Sequence, residues 1–305
     1  MPGQSLPATV DALTARFRRQ RPLRSGSLLI TIFGDSILPR GGSVTLGSLI
    51  RLAQPFGLTE RLVRTSVGRL AKDGWLDARR SGRQSEYLLS RHGETRFAEA
   101  TQRIYGEPPR DWDERWTLLV LPANGPGRNR ERIREEMLWL GFGQLSPGVL
   151  AHPSRSVADT RRQLKEMKLE DHAILVEAQS CGLEQDRRLI GTGWDLAELA
   201  AAYRRFTGSF ENVRSALSNG KRLEPEQAFV IRTLLIHEYR KIHLRDPLLP
   251  HGLLPPDWIG ARAYSLCGEL YRHVFDAAEA FLSLNASTLG GALQATTAAA
   301  RHRFN

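Results

Sequence analysis

The chain has 305 residues, 41% hydrophobic and 25% charged, enough for two or three domains with cores of their own, which excludes a disordered or fibrous protein. Its net charge of +10 is localised: residues 1–110 hold 18 Lys and Arg against 9 Asp and Glu, and the other 195 hold 25 against 24. A basic surface confined to one third of a chain is the footprint of a polyanion partner, whether DNA, RNA or membrane, rather than charge spread for solubility.

No stretch approaches the roughly 18 uninterrupted apolar residues that cross a bilayer, and the opening has no apolar segment behind its charges. A cytoplasmic protein without a membrane partner is expected. Cys181 and Cys267 stand in unlike contexts and suggest neither a disulfide framework nor a zinc knuckle, which fits a reducing compartment. Residues 1–25, with "ARFRRQRPLRSG", read as a flexible basic arm, a transit peptide being the alternative.

The winged part begins with "SLLITIFGDSIL", a short helix ending at Gly34-Asp35 and followed by the polar turn "PRGG". In "TLGSLIRLAQPFG", Thr45 is a candidate N-cap, Leu46, Leu49, Ile50 and Ala53 make one stripe, and Pro55 with Gly57 closes the segment. A second N-cap, Thr59, opens "TERLVRTSVGRLAKDGWL". Its inner stripe is Val63, Ser66, Val67 and Leu70, its outer face carries Glu60, Arg61, Arg64, Thr65 and Gly68, and Gly74 stops it. "WLDARRSGRQSEYLLS" then alternates as a hairpin turning at Ser81-Gly82, with Arg79, Arg80 and Arg83 on its arms and tip. Two helices, a short turn, a cationic helix and a basic-tipped hairpin follow the order of a winged helix-turn-helix. Such a helix fits a major groove, and Arg64 is placed to read a base. The plainer alternative is that these arginines only solvate a surface helix.

"RHGETRFAEATQRIY" continues as a connecting helix and "GEPPRDWDE" as a Pro-rich linker, with a boundary near residue 110. Beyond it, "RWTLLVLPA" is a strand, "RNRERIREEMLWLGF" a helix, "GQLSPGVLAHP" a second extended segment, "SVADTRRQLKEMKL" a helix and "HAILVEAQ" a buried strand, an order that suggests a ferredoxin-like sandwich able to pair through its sheet. From residue 194, three long helical patterns follow. The expected fold class is therefore α+β multidomain: a flexible arm over 1–25, a winged helix-turn-helix with connecting helix over 26–108, a ferredoxin-like dimerisation domain over 109–190, a helical C-terminal effector or dimer domain over 191–284, and a disordered Ala- and Thr-rich tail over 285–305.

In this order "GDSILPRGG", "ERLVRTSVGRLAKDGWL", "WLGFGQLSPGVLAHP" and "LLIHEYRKIHLRDPLLPHGLLPPDW" resemble the PaaX family, repressors of phenylacetic acid degradation operons, over about residues 25–282. The resemblance implies a GntR-like winged helix, a middle domain similar to the CRISPR-associated ferredoxin-like fold, a helical C-domain, double-stranded operator DNA as partner, and phenylacetyl-CoA or a related aryl-CoA as the effector that releases it, with no cofactor. It gives Arg61, Arg64, Thr65 and Arg69 a DNA-contact role and Arg83 a wing role; Arg40, Thr45, Thr59, Glu60, Arg79 and Arg80 complete the expected DNA-facing set.

An acyl-CoA site calls for cations and aromatic walls. Trp194, His237, Tyr239, Arg240, Lys241, Arg245 and Trp258 are the candidates, each also readable as ordinary core or a salt-bridged helix end. His237 and His243 stand six residues apart rather than the four of a zinc-protease helix, so no metal site is expected. The first middle-domain strand ends in "LPANGPG" with no carboxylate to hold a catalytic metal, and no P-loop or nucleophile elbow occurs. The expectation is a homodimeric, non-enzymatic repressor. Its rivals are a CoA-thioester-processing enzyme carrying a nucleic-acid-binding module and an RNA-binding regulator.

Overall fold

The computed structural model describes residues 5–107, 112–124, 126–218 and 222–304, so part of the expected linker, residues 108–111, lies outside the described residues. In chain order the first elements are α1 (Leu6–Arg18), α2 (Ser25–Ile32), β1 (Ser43–Thr45), α3 (Leu46–Ala53), α4 (Glu60–Lys72), β2 (Leu76–Ser81), β3 (Gln84–Leu89) and α5 (Arg91–Tyr105). Then come β4 (Trp116–Val120), α6 (Gly127–Trp139), β5 (Gly143–Ser146), β6 (Val149–His152), α7 (Val157–Glu166), β7 (Ile174–Ala178) and α8 (Leu183–Gly193). The chain finishes with α9 (Leu196–Leu217), α10 (Pro225–His243), α11 (Ile259–Asn285), β8 (Ser287–Thr288), β9 (Gly291–Ala292) and α12 (Ala298–Arg301). It divides into two compact units: Met1–Gly106 with Arg204–Lys241 and Ala261–Asn305, and Glu107–Tyr203 with Ile242–Gly260. Among the described residues, no helix is long and apolar enough to cross a membrane.

The first unit contains the winged helix. β1, β3 and β2 form an antiparallel sheet in that order, with Val44 opposite Tyr87 and Arg80 opposite Ser85. Thr45 and Thr59 cap α3 and α4 by accepting from the Ser48 and Leu62 amides, at 3.3 Å each. Gly57 makes the intervening turn in the left-handed region, φ 74°, where a Cβ would also collide with the Arg18 guanidinium. Arg18 in turn donates to the carbonyl oxygens of Phe56 and Pro55.

Two segments expected to be disordered are folded here. Residues 6–18 form a helix rather than a flexible arm, because Leu6, Val10, Leu13 and Phe17 make one buried stripe beneath the arginines. After α11, the chain runs through the β8–β9 hairpin and α12 rather than forming a disordered tail. The Ser287 amide donates to Ser48, the Leu289 amide to Glu86 and the Thr297 amide to the Pro39 carbonyl, and Arg303 and Phe304 are buried. α10 and α11 belong to this unit too: Phe229 of α10 meets Phe56 edge-on at 5.8 Å and stacks on Phe281 of α11 at 4.9 Å. The winged helix thus shares its core with helices encoded far downstream.

The second unit carries an antiparallel sheet in the order β5-β6-β4-β7, the ferredoxin-like arrangement. Alternation along β4 splits the core: Leu119 faces Ile133 and Met137 of α6 and Leu164 of α7, while Trp116 faces Ile190 of α8, Leu249 and Leu253. The stretch expected as one extended segment, 143–153, is a hairpin whose turn Gly148 takes φ 110°. Ile174 and Val176, 55% and 41% exposed, lie on the edge strand β7.

Candidate nucleic-acid interface

α4 separates its faces as the stripe predicts. Val63, Ser66, Val67 and Leu70 are buried, while Glu60, Arg61, Arg64, Thr65, Gly68 and Arg69 are exposed. Ser25, at the start of α2, shares a 2.7 Å hydrogen bond with Ser66 and fixes α4 against α2. Arg64 is 56% exposed and pairs with Glu60 one turn earlier at 2.7 Å. An exposed i,i+4 pair is worth only about 0.3–0.5 kcal/mol, so a phosphate or base edge can draw Arg64 away at little cost. The hydroxyl of exposed Thr65 donates back to the Arg61 carbonyl at 2.8 Å. Arg79, Arg80 and Arg83 are all exposed along β2 and at the wing tip, where Gly82 takes φ 56°.

Two of the expected DNA-facing residues point inward. Arg40 is 6% exposed and its guanidinium donates to Glu279 at 2.6 Å, to Ser283 and to the Gln294 carbonyl. Thr45 is buried, its hydroxyl used by the α3 cap and by Ser48. Thr45 serves the helix that it caps, whereas Arg40 is drawn inward by Glu279, 239 residues away in sequence.

Arg40 belongs to a network that sequence reasoning missed. Asp35 is buried where α2 widens into a π-turn over Phe33–Ile37. It accepts from Arg232 at 2.7 Å, Arg303 at 2.9 Å, Tyr105 at 2.8 Å and Tyr271 at 3.1 Å. Arg232 also donates to Glu279 at 2.5 Å, so Arg40 and Arg232 share that carboxylate. Burial pushes the Asp35 carboxyl up, but the charges of Arg232 and Arg303 and the hydrogen bonds from Tyr105 and Arg232 outweigh it and hold the group below its ordinary value. Burial likewise moves the Tyr271 hydroxyl to about 12. The available signal was a lone charge inside an apolar run, Asp35 in "LLITIFGDSIL" and Arg232 in "AFVIRTLLI", which demands a buried partner elsewhere.

The seven effector candidates fall in both units. In the first, His237 and Tyr239 are fully buried; Arg240 donates to Thr31 and Ser27, and Lys241 pairs with Glu238 at 3.3 Å. His237 accepts from or donates to Thr31 at 3.0 Å and meets Phe17 edge-on. Burial, then the charges of Arg240, Lys241 and Arg24, push its pKa well below the usual histidine value. In the second unit, Trp194 donates to the Gly141 carbonyl at 3.0 Å and lies so close over Gly143 that a Cβ there would collide with its ring. Trp194 also borders a cleft of about 850 Å³ with Arg187, Ile190, Leu196, Leu253 and Pro255, and a smaller cavity with Arg245 and Pro247. Trp258 packs edge-on against Tyr203 at 6.2 Å.

Comparison with known proteins accounts for most of the chain. Residues 24–93 match the PaaX-like protein family, 109–190 the PaaX protein central Cas2-like domain, and 194–284 the PaaX-like protein C-terminal domain. The Transcriptional repressor PaaX of Escherichia coli (strain K12) is 39% identical over 287 residues, covering 93% of this chain and 90% of that protein. A solved structure of an uncharacterized protein from Mycobacterium tuberculosis superposes with a TM-score of 0.51 at 25% identity, covering 76% of this chain and 89% of that one. With its winged-helix, Cas2-like and helical parts in the same order, the chain belongs to the PaaX-like family of transcriptional repressors, a family of regulators and not of enzymes.

Proposed function

We propose that this chain is a homodimeric repressor of an aromatic, phenylacetate-type catabolic operon that binds double-stranded operator DNA and leaves it when an aryl-CoA thioester such as phenylacetyl-CoA binds. The observation that carries the DNA reading is α4: one buried apolar face, and an outer face on which Arg61, Arg64, Thr65 and Arg69 are all exposed beside the arginines of the wing. A helix of this width with cations on its first turns fits a B-form major groove, and the wing adds phosphate neutralisation. The operon and effector reading is supported by the 39% identity to a protein named for that repressor family.

Two heads would read an inverted repeat with half-sites spaced by whole helical turns. The exposed apolar pair Ile174 and Val176 on edge strand β7 supports self-association through the middle domain. The effector acts by binding the DNA-incompetent arrangement better than the competent one, since equal binding to both shifts nothing.

The test is fluorescence anisotropy of a labelled promoter fragment from beside the gene, with phenylacetyl-CoA, free CoA or phenylacetate added. The expected result is tight binding to the fragment over random duplex, reversed by the thioester alone. Equal affinity for matched RNA would refute the groove reading, because A-form RNA has a deep, narrow major groove that excludes the helix.

A further inference from the structure

Phe304 is the most conspicuous side chain left without a role. Its ring sits among four tyrosines, with centroids 5.2 Å from Tyr105, 5.5 Å from Tyr264, 5.5 Å from Tyr271 and 6.0 Å from Tyr239, at interplanar angles from 59° to 78°. Three edge-on contacts and one tilted one favour an aromatic ring over an aliphatic chain, because an edge-on pair places a positive ring edge against a negative ring face. The Tyr105 and Tyr271 hydroxyls are spent on Asp35, so what these residues offer Phe304 is ring surface. Its carbonyl oxygen accepts from Arg272 at 2.9 Å. Ring, methylene, one further carbon and a carbonyl held by a guanidinium together make an arylalkanoyl group.

The backbone is bent to achieve this. Phe304 has φ 64°, the left-handed region that a bulky side chain rarely enters. The segment that carries it holds only two-residue strands and a four-residue helix after α11. Its neighbour Arg303 spans from the socket to the winged helix, lying 4.1 Å over the Tyr105 ring and donating to Asp35 and to the Gly34 carbonyl.

The geometry points to a ligand site here: the socket of Tyr105, Tyr239, Tyr264 and Tyr271, with the Arg272 guanidinium, takes the arylalkanoyl part of an incoming molecule, and Phe304 holds that place until such a group displaces it. Displacement draws Arg303 off Asp35 and Gly34, at the end of the helix that braces α4 through Ser25 and Ser66. Occupancy of the socket is thereby tied to the seating of the recognition helix. The regulatory meaning rests on the aryl-thioester reading above; the existence of the site does not.

The experiment places 4-fluorophenylalanine at position 304 of the full chain and follows its fluorine resonance during titration with phenylacetyl-CoA, 3-phenylpropanamide or CoA alone. The aryl compounds are expected to move the resonance to its solvent position and CoA is not. Phe304→Ala, which removes the competing ring, is expected to bind 3-phenylpropanamide at least about tenfold more tightly, as for a site nine-tenths or more occupied by its own plug. Phe304→Leu keeps the socket filled with an apolar group and guards against a folding defect; a smaller gain is expected. A fluorine signal that stays buried at saturating aryl ligand, or unchanged affinity in both variants, overturns the site. Operator release by the thioester with no movement at position 304 sinks the socket and leaves the effector reading standing. Movement by the amide with no release by any aryl thioester does the reverse.

Discussion

Asp35 shows how much can depend on one carboxylate. Two arginines pair with it inside the protein, and a neutral replacement would take a carboxylate from Arg303 and one of the two that Arg232 holds. Removing one partner from a buried pair costs about 3–5 kcal/mol, so Asp35→Asn is expected to lose stability of that order in urea denaturation, while exposed Arg188→Ala, in a surface pair with Glu184, should scarcely change it. Its lowered pKa means the stabilisation is complete above an unfolded Asp value of about 4 and fades as acid drives the pH through the folded value. His237 acts in a different window. The folded chain keeps this imidazole neutral, whereas an unfolded histidine takes up a proton below about pH 6.5. Stability should therefore fall as the pH drops from 7 to 5, by at most about 1.4 kcal/mol per unit from this residue. Thermal melts of His237→Gln should show a flatter slope over that range, and a slope equal to the parent's would place its origin elsewhere.

Among the elements, α4 and the wing were the most legible in the sequence, since their signals are local: a threonine cap, a 3.6-residue stripe, glycines at Gly74 and Gly82, and alternation through the hairpin. α1 was obscured because its arginines outweighed a stripe of only four apolar residues, and α12 because Ala- and Thr-rich composition carries no periodicity and its anchors, Arg303 and Phe304, are held entirely by distant partners. The same reason hid the inward turn of Arg40, whose carboxylate lies 239 residues away in sequence. Under the proposed reading, α4 meets base edges and the wing meets phosphates, and substitutions in the two should differ accordingly. Arg64→Ala should lose about 1–3 kcal/mol of operator affinity and relax preference at one base pair. Arg83→Ala should weaken all duplexes alike and reduce the slope of log affinity against log salt by about 0.9. Footprinting and salt titration on a panel of single-base operator variants distinguish the two; a position-specific loss at Arg83 would show that the wing reads bases.

Over the whole molecule, the first unit joins three stretches of chain, so the winged helix was readable in outline from residues 26–108 but not in what completes it. Asp35 and Arg40 take their ionic partners from Arg232, Glu279 and Arg303, and Phe56 packs on Phe229. A fragment of residues 1–106 should consequently show no cooperative melt by circular dichroism, whereas the intact chain melts cooperatively; a sharp transition in the fragment would show that the downstream helices are dispensable.

The shared core also limits how such a regulator can be re-targeted. Swapping in another protein's reading head would strand the ionic and aromatic partners that α10, α11 and the segment after them supply, so a chimera made at residue 106 inherits a misfit at every one of those contacts. New operator preferences are more accessible through the solvent-side residues of α4 and the hairpin tip, which can change without disturbing what lies beneath them.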